Sequence, residues 1–323
     1  MSNSKFGDIV MADQKIAVLF PGQGSQFLGM GKEFLEADPE ARALMAMAET
    51  ISGFPLTRLC QEGPMEELTR TVHLQPAMTV MNLICWQALA KAGVKPAFFA
   101  GHSLGEYGAL AAAGIVSPED TLALVTERGR LMEREAAANP GGMQAVVKLP
   151  IEAVRGIVES AKAAGKITVA NHNSAEQIVI SGEEAPLAAA APLVKEKGGK
   201  AIPLKVSGAW HSELIAGAVP DFEAAMAKVT FNAPATPVLF NVTAASESDP
   251  AAIRQIMARQ IASTVRWLEI VERLMAEEVR VFIEVGPKTV LTGLLGKIIP
   301  ADYEHRCFQF DTPEGLAKML EEL

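Results

Sequence analysis

Short apolar runs rich in β-branched and aromatic residues alternate with longer stretches of helical periodicity along most of the chain, the signature of βα units around a parallel sheet. The clearest predicted strands are Lys15–Phe20, 97–101, 237–242 and Val279–Val285, and each ends in a polar or glycine-containing loop. In an open α/β sheet, ligands bind outside the carboxyl ends of the strands, so those four loops are where chemistry is expected. One stretch departs from the pattern. Over 142–207 the predicted order is strand 143–149, helix 151–164, strand 167–171, strand 177–181, helix 183–197 and strand 200–206. That βαββαβ order is the ferredoxin-like arrangement. A breaker run, Asn139-Pro140-Gly141-Gly142, precedes it, which predicts an inserted subdomain over 139–206 in a core made of 13–138 and 207–323. Residues 1–12 read as a disordered tail, and Met11 as an alternative start.

Composition narrows the class. The 323 residues are 49% hydrophobic and 21% charged, as in an ordinary globular protein, and Lys plus Arg number 29 against 38 Asp plus Glu, a net charge of -9. So acidic a surface is a poor fit to nucleic acid or an anionic membrane, and an anionic ligand must be met by a local cation. The three cysteines, Cys60, Cys85 and Cys307, form no C-x-x-C pair, so neither a zinc site nor a disulfide framework is indicated and a reducing cytoplasm fits. No stretch approaches the roughly 18 uninterrupted apolar residues of a membrane span.

The strongest chemical signal is Gly101-His102-Ser103-Leu104-Gly105, between the strand 97–101 and a helix of small residues. This is the strand-turn-helix context of a nucleophile elbow, in which glycines two residues either side of the serine leave room for neighbouring backbone. A serine hydroxyl needs a base within hydrogen-bond reach. Of the five histidines, His102 should point away from the Ser103 hydroxyl, His73 precedes a Gln75-Pro76 break, His172 ends a strand of the insert and His305 lies in the C-terminal region. His211 follows Ser207-Gly208-Ala209-Trp210, where the chain returns from insert to core, a natural cleft position.

Two inward polar residues add to this. Ser117-Pro118-Glu119-Asp120 starts a helix with an N-cap serine, Pro at N1 and an acidic first turn, running to about residue 137. At about 100° per residue, Leu122, Leu124, Val125, Leu131 and Met132 share one arc with Arg128 in its middle. A buried guanidinium needs an anion, which is either a structural carboxylate or a substrate carboxylate held bidentately. Gln260 sits likewise among Ile253, Ile256, Met257 and Ile261. The loop Phe20-Pro21-Gly22-Gln23-Gly24-Ser25-Gln26 lacks the Gly-Lys-Ser/Thr ending of a phosphate loop. Its better use is an oxyanion hole formed by the Gln23 N–H together with the Leu104 N–H, the residue after the serine.

Taken in order, the FPGQGSQ loop, Gln75-Pro76-Ala77, GHSLGEY, Glu127-Arg128-Gly129 with Met132, VANHNSAEQIVISG, GAWHS, Gln260 before Val265-Arg266-Trp267, and EVGPKTVL resemble the malonyl-CoA:acyl carrier protein transacylase family of fatty acid and polyketide synthesis. The resemblance spans about residues 15–295. It implies an α/β-hydrolase-like core with a ferredoxin-like insert and a ping-pong malonyl transfer from CoA to the phosphopantetheine thiol of acyl carrier protein. It implies Ser103 as nucleophile, His211 as base, Arg128 as the clamp on the free carboxylate, Gln260 and Met132 as substrate-site residues, and the Gln23 and Leu104 N–H groups as oxyanion donors. Trp210 stands where phenylalanine is more usual, and an aromatic ring there resembles malonyl-selective members. No Asp stands at an evident triad position, so a dyad oriented by a backbone carbonyl is expected. No cofactor or metal is implied, and a cytoplasmic monomer is expected. Lys195, Lys197, Lys200 and Lys205 are candidates for a basic patch facing the acidic carrier. A polyketide-type acyltransferase of other acyl preference and a serine thioesterase or esterase are the alternative readings.

Overall fold

The computed structural model describes residues 14–323, so the expectations for residues 1–12 and Met11 lie outside the described residues. Five strands, β1 (Lys15–Phe20), β2 (Phe98–Gly101), β7 (Val238–Leu239), β8 (Val279–Val285) and β9 (Arg306–Phe310), form an all-parallel sheet in the order β7-β2-β1-β8-β9. The central strand β1 is apolar on both faces because helices cover both sides, hence the uninterrupted run Ala17-Val18-Leu19-Phe20, wholly buried. The chain moves from β1 outward to β2, yet after β7 it crosses to the other side of β1 to form β8. That reversal leaves a crevice at the carboxyl ends of the central strands.

The second sheet is antiparallel: β3 (Gly142–Val147), β4 (Ile167–Ser174), β5 (Gln177–Gly182) and β6 (Lys200–Pro203), in the order β4-β5-β3-β6. With the helices Ile151–Ala161 and Glu184–Glu196 it has the ferredoxin-like topology. Its faces follow the period of two: Ile178 and Ile180 pack with Val154, Ile157 and Leu187 in the insert's own core, while Val179 and Met143 join the main core beside Trp210. The insert is also stitched to the core, with the Val265 N–H donated to the Ala170 carbonyl, the His172 N–H to Val265 and the Thr264 hydroxyl to Val169.

Several expectations need correcting. Strand β9 was not anticipated. Strand β7 has two residues rather than the six of 237–242. Strand β6 ends at Pro203 rather than 206, because the Leu204 N–H closes the last bond to Met143 and the chain then turns. Gln75-Pro76 is not a break: the helix Thr71–Lys91 runs through it. Pro76 lies in its second turn and removes one backbone bond, and burial on nearly every face of the first four turns holds the helix together. Among the described residues no helix is long and apolar enough to cross a membrane.

Candidate active site

At the end of β2 the chain turns so sharply that a Cβ on Gly101 would collide with the backbone of Gly105, and one on Gly105 with the carbonyl of Phe20. Ser103 sits at the apex with φ 50°, a left-handed conformation that a non-glycine residue adopts only where the surroundings enforce it. The enforcing group is Asn241, at the end of β7. Its Oδ1 accepts the Ser103 N–H at 2.7 Å and its Nδ2 donates to the Gly101 carbonyl at 2.7 Å. The turn feeds directly into the helix Gly105–Ala112.

Ser103 Oγ lies 2.6 Å from His211 Nε2. His211 Nδ1 faces two carbonyl oxygens, Ser263 at 2.9 Å and Gln260 at 3.1 Å. Carbonyls only accept, so Nδ1 carries the proton and Nε2 is left as the acceptor for the serine hydroxyl. The ring is buried, and burial first, then the charge of Arg128, push it down to about 3. A neutral imidazole at physiological pH is the state a base requires. The other histidines are engaged elsewhere: His73 with the Glu67 carbonyl, His172 with Glu269, His305 with the Tyr303 carbonyl, and His102 with Asn173 Oδ1 at 2.8 Å.

Arg128 is wholly buried, as its place on the apolar arc predicts. One amino group donates to Gln75 Oε1 at 2.8 Å and approaches Met132 Sδ at 3.2 Å, while the other reaches Gln260 Oε1 at 3.1 Å and Ser103 Oγ at 3.3 Å. All of these partners are neutral. Among the described residues no carboxylate is hydrogen-bonded to Arg128. Arg128 and Gln260, read from two separate helices, therefore do meet. Gln23 and Leu104 line the same cavity, and among the described residues neither backbone N–H has a protein acceptor. Trp210 is buried against Gly208 and also lines the cavity.

That cavity, about 500 Å³, lies between the two sheets, with Ser103, His211 and Arg128 on the core side and Asn171, Asn173 and Val179 on the insert side. Of the four lysines suggested for a basic patch, Lys205 borders a cleft beside Gln23, whereas Lys195, Lys197 and Lys200 stand at the far end of β6. Three residues of the site escaped the sequence: Gln75, Asn241 and Glu106. Glu106, a charged residue on a helix that is buried from Gly105 to Leu110, had the same signal that singled out Arg128.

A serine raised on a strand-turn-helix elbow, faced by an oriented imidazole at the crevice of a parallel sheet, is the arrangement that acyl transfer through a serine requires. Residues 18–301 match the acyl transferase domain family. A malonyl CoA-acyl carrier protein transacylase of Bacillus subtilis (strain 168) is 41% identical over 286 residues, covering 88% of this chain and 90% of the relative. The crystal structure of malonyl-CoA:acyl carrier protein transacylase from Xanthomonas oryzae pv. oryzae superposes with a TM-score of 0.91 at 38% identity, over 97% of this chain and 99% of that one. A malonyl-transacylase solved in complex with its type II PKS acyl-carrier protein gives a TM-score of 0.91 at 33% identity, over 96% and 100% of the two chains. The chain belongs to the malonyl CoA-acyl carrier protein transacylase family.

Proposed function

We propose that the protein transfers a malonyl group from CoA to the phosphopantetheine thiol of acyl carrier protein through a malonyl ester on Ser103. His211 Nε2 takes the hydroxyl proton as Ser103 Oγ attacks the thioester carbonyl. The oxyanion is met by the N–H groups of Gln23 and Leu104, each worth roughly 10² to 10³ in rate. Collapse breaks the C–S bond, and the imidazolium returns its proton to the departing CoA sulfur. In the second half-reaction the carrier thiol gives its proton to His211 and attacks the ester carbonyl, and Ser103 leaves with that proton. The serine-histidine pair is oriented by the Gln260 and Ser263 carbonyls rather than by a carboxylate.

The observation that carries the malonyl assignment is Arg128. A buried guanidinium whose hydrogen-bond partners are all neutral, 3.3 Å from the serine oxygen, is an unfilled site for a carboxylate. Binding that carboxylate would also offset the charge that depresses His211, so the base gains strength when the correct acyl group is in place. Trp210 and Met132 close the pocket around the acyl chain. The insert over 139–206 forms the opposite wall of the cavity from the core, whose described residues are 14–138 and 207–323. Cys60, Cys85 and Cys307 are free thiols, in keeping with a reducing cytoplasm.

Two results are expected. With malonyl-CoA and holo carrier protein, malonyl-carrier protein should form much faster than free malonate is released; dominant release of malonate would favour the thioesterase reading. Arg128→Ala should lose malonyl transfer by about 100-fold or more, the loss of a charge-assisted bidentate contact, while its relative use of acetyl-CoA rises. Steady-state rates with both thioesters check this, and an unchanged acyl preference would remove the clamp.

A further inference from the structure

Glu106 is the second residue of the helix Gly105–Ala112, its side chain wholly buried. Its Oε1 accepts the Asn241 N–H at 2.7 Å and its Oε2 accepts from Gln260 Nε2 at 2.8 Å. Gln260 Nε2 also donates to the Ser103 carbonyl at 2.7 Å, while its Oε1 accepts from Arg128. Burial raises the Glu106 carboxyl, to about 8, against the pull of these two donors and of Arg128. Among the described residues each of its oxygens faces a donor and no acceptor stands ready for a carboxyl proton, so the geometry is that of an ionised carboxylate held against the cost of its burial.

We propose that Glu106 is a positioning residue, which fixes the amide orientation of Gln260 and through it the guanidinium of Arg128 that receives the acyl carboxylate. The inference rests on the malonyl-transfer reading. The two ends of an amide are alike in size and opposite in hydrogen bonding. With Glu106 Oε2 and the Ser103 carbonyl as acceptors on one side, the NH₂ group must lie there and the oxygen must face Arg128. A flipped Gln260 would set its hydrogens against those of the guanidinium. The separation matters as well. A carboxylate paired directly with Arg128 would fill the donor fork that the substrate uses, whereas one held a residue away supports the buried charge and leaves the fork to neutral acceptors, against which a substrate carboxylate competes well. Through Asn241 the same carboxylate is tied to the Gly101 carbonyl and the Ser103 N–H on the strand side of the elbow.

Glu106→Gln tests this, because it keeps the size while presenting an NH₂ group to one of two donors. Malonyl transfer should fall about 10- to 100-fold, the range for a hydrogen bond to a charged group, and acetyl transfer should fall less, lowering the malonyl-to-acetyl ratio. In a Gln260→Ala background the same substitution should cost less than about threefold, since its route of action is already gone. An equal cost in both backgrounds, or an unchanged ratio, would overturn the proposal. Should Glu106→Gln fail to fold, Gln260→Met leaves the carboxylate in place with no amide to hold: a lowered ratio is expected, and a wild-type ratio would overturn it. If the wild-type protein transfers no malonyl group, the malonyl reading itself falls; if it does and the variants behave additively, only the role of Glu106 falls.

Discussion

Replacing His211 with alanine should slow malonylation of the protein by roughly 10⁴- to 10⁶-fold, the loss seen when the base of a serine hydrolase is removed. The size follows from the geometry. Among the described residues the Ser103 hydroxyl has one basic hydrogen-bond partner, His211 Nε2 at 2.6 Å, and its other hydrogen bond is with the cation Arg128, which can donate a hydrogen bond but cannot take a proton. His102, next in sequence and lining the same cavity, has its Nε2 on Asn173 and its ring edge-on to Trp267, 5.5 Å between centroids. It cannot stand in. Single-turnover acylation of His211→Ala checks this, and near-normal acylation would place the base elsewhere.

The pH dependence follows from the same residue. The active form of His211 is neutral, and its protonation is held down to about 3 by burial and by Arg128. The part of the acid limb of kcat/KM for malonyl-CoA that His211 sets should therefore lie below about pH 5 rather than near the ordinary imidazole value, and Glu106→Gln isolates it from the titration of Glu106. In Arg128→Ala the limb should move to higher pH, because one cause of the depression is gone. The sign for stability is the same: between about 6.5 and about 3 the unfolded chain binds a proton that native His211 refuses, so the native state loses stability as pH falls through that window.

How much of this was legible beforehand depends on what kind of signal each element carries. Strands β1 and β8 are central, with β1 apolar on both faces from Ala17 to Phe20 and β8 on every second residue from Val279 to Val285, and the expected and observed limits coincide. Strands β7 and β9 are the sheet edges. Each has one neighbour, so its extent is set by where pairing stops rather than by composition: β7 ends where Asn241 turns to hold the elbow, and β9 is half-buried with no uninterrupted apolar run. The antiparallel insert was readable because its strands are short and bounded by turn residues. Its stitching to the loop at Val265 was not, since backbone hydrogen bonds between distant segments leave no mark on side-chain pattern.

The site divides in the same way. Arg128 and Gln260 could be singled out because each is a polar residue amid an apolar helical face, and burial makes such a residue find a partner. Gln75 lies in a helix buried on almost every face, where no polar stripe exists against which it could stand out. Asn241 belongs to a strand end whose partner is 138 residues away in sequence. Glu106 was open to the test applied to Arg128, but it lay inside a motif already explained by its serine.

The central claim is that the acyl group passes through Ser103. Ser103→Ala removes the nucleophile and leaves the elbow, the cavity and Arg128 in place, so it should still bind malonyl-CoA while losing transfer by roughly 10⁶-fold. Intact-mass measurement of the wild-type protein and of Ser103→Ala, each mixed with malonyl-CoA in the absence of carrier protein, tests this most directly. The wild-type protein should gain the mass of one malonyl group and the variant none; an adduct of the same mass on Ser103→Ala would contradict the account.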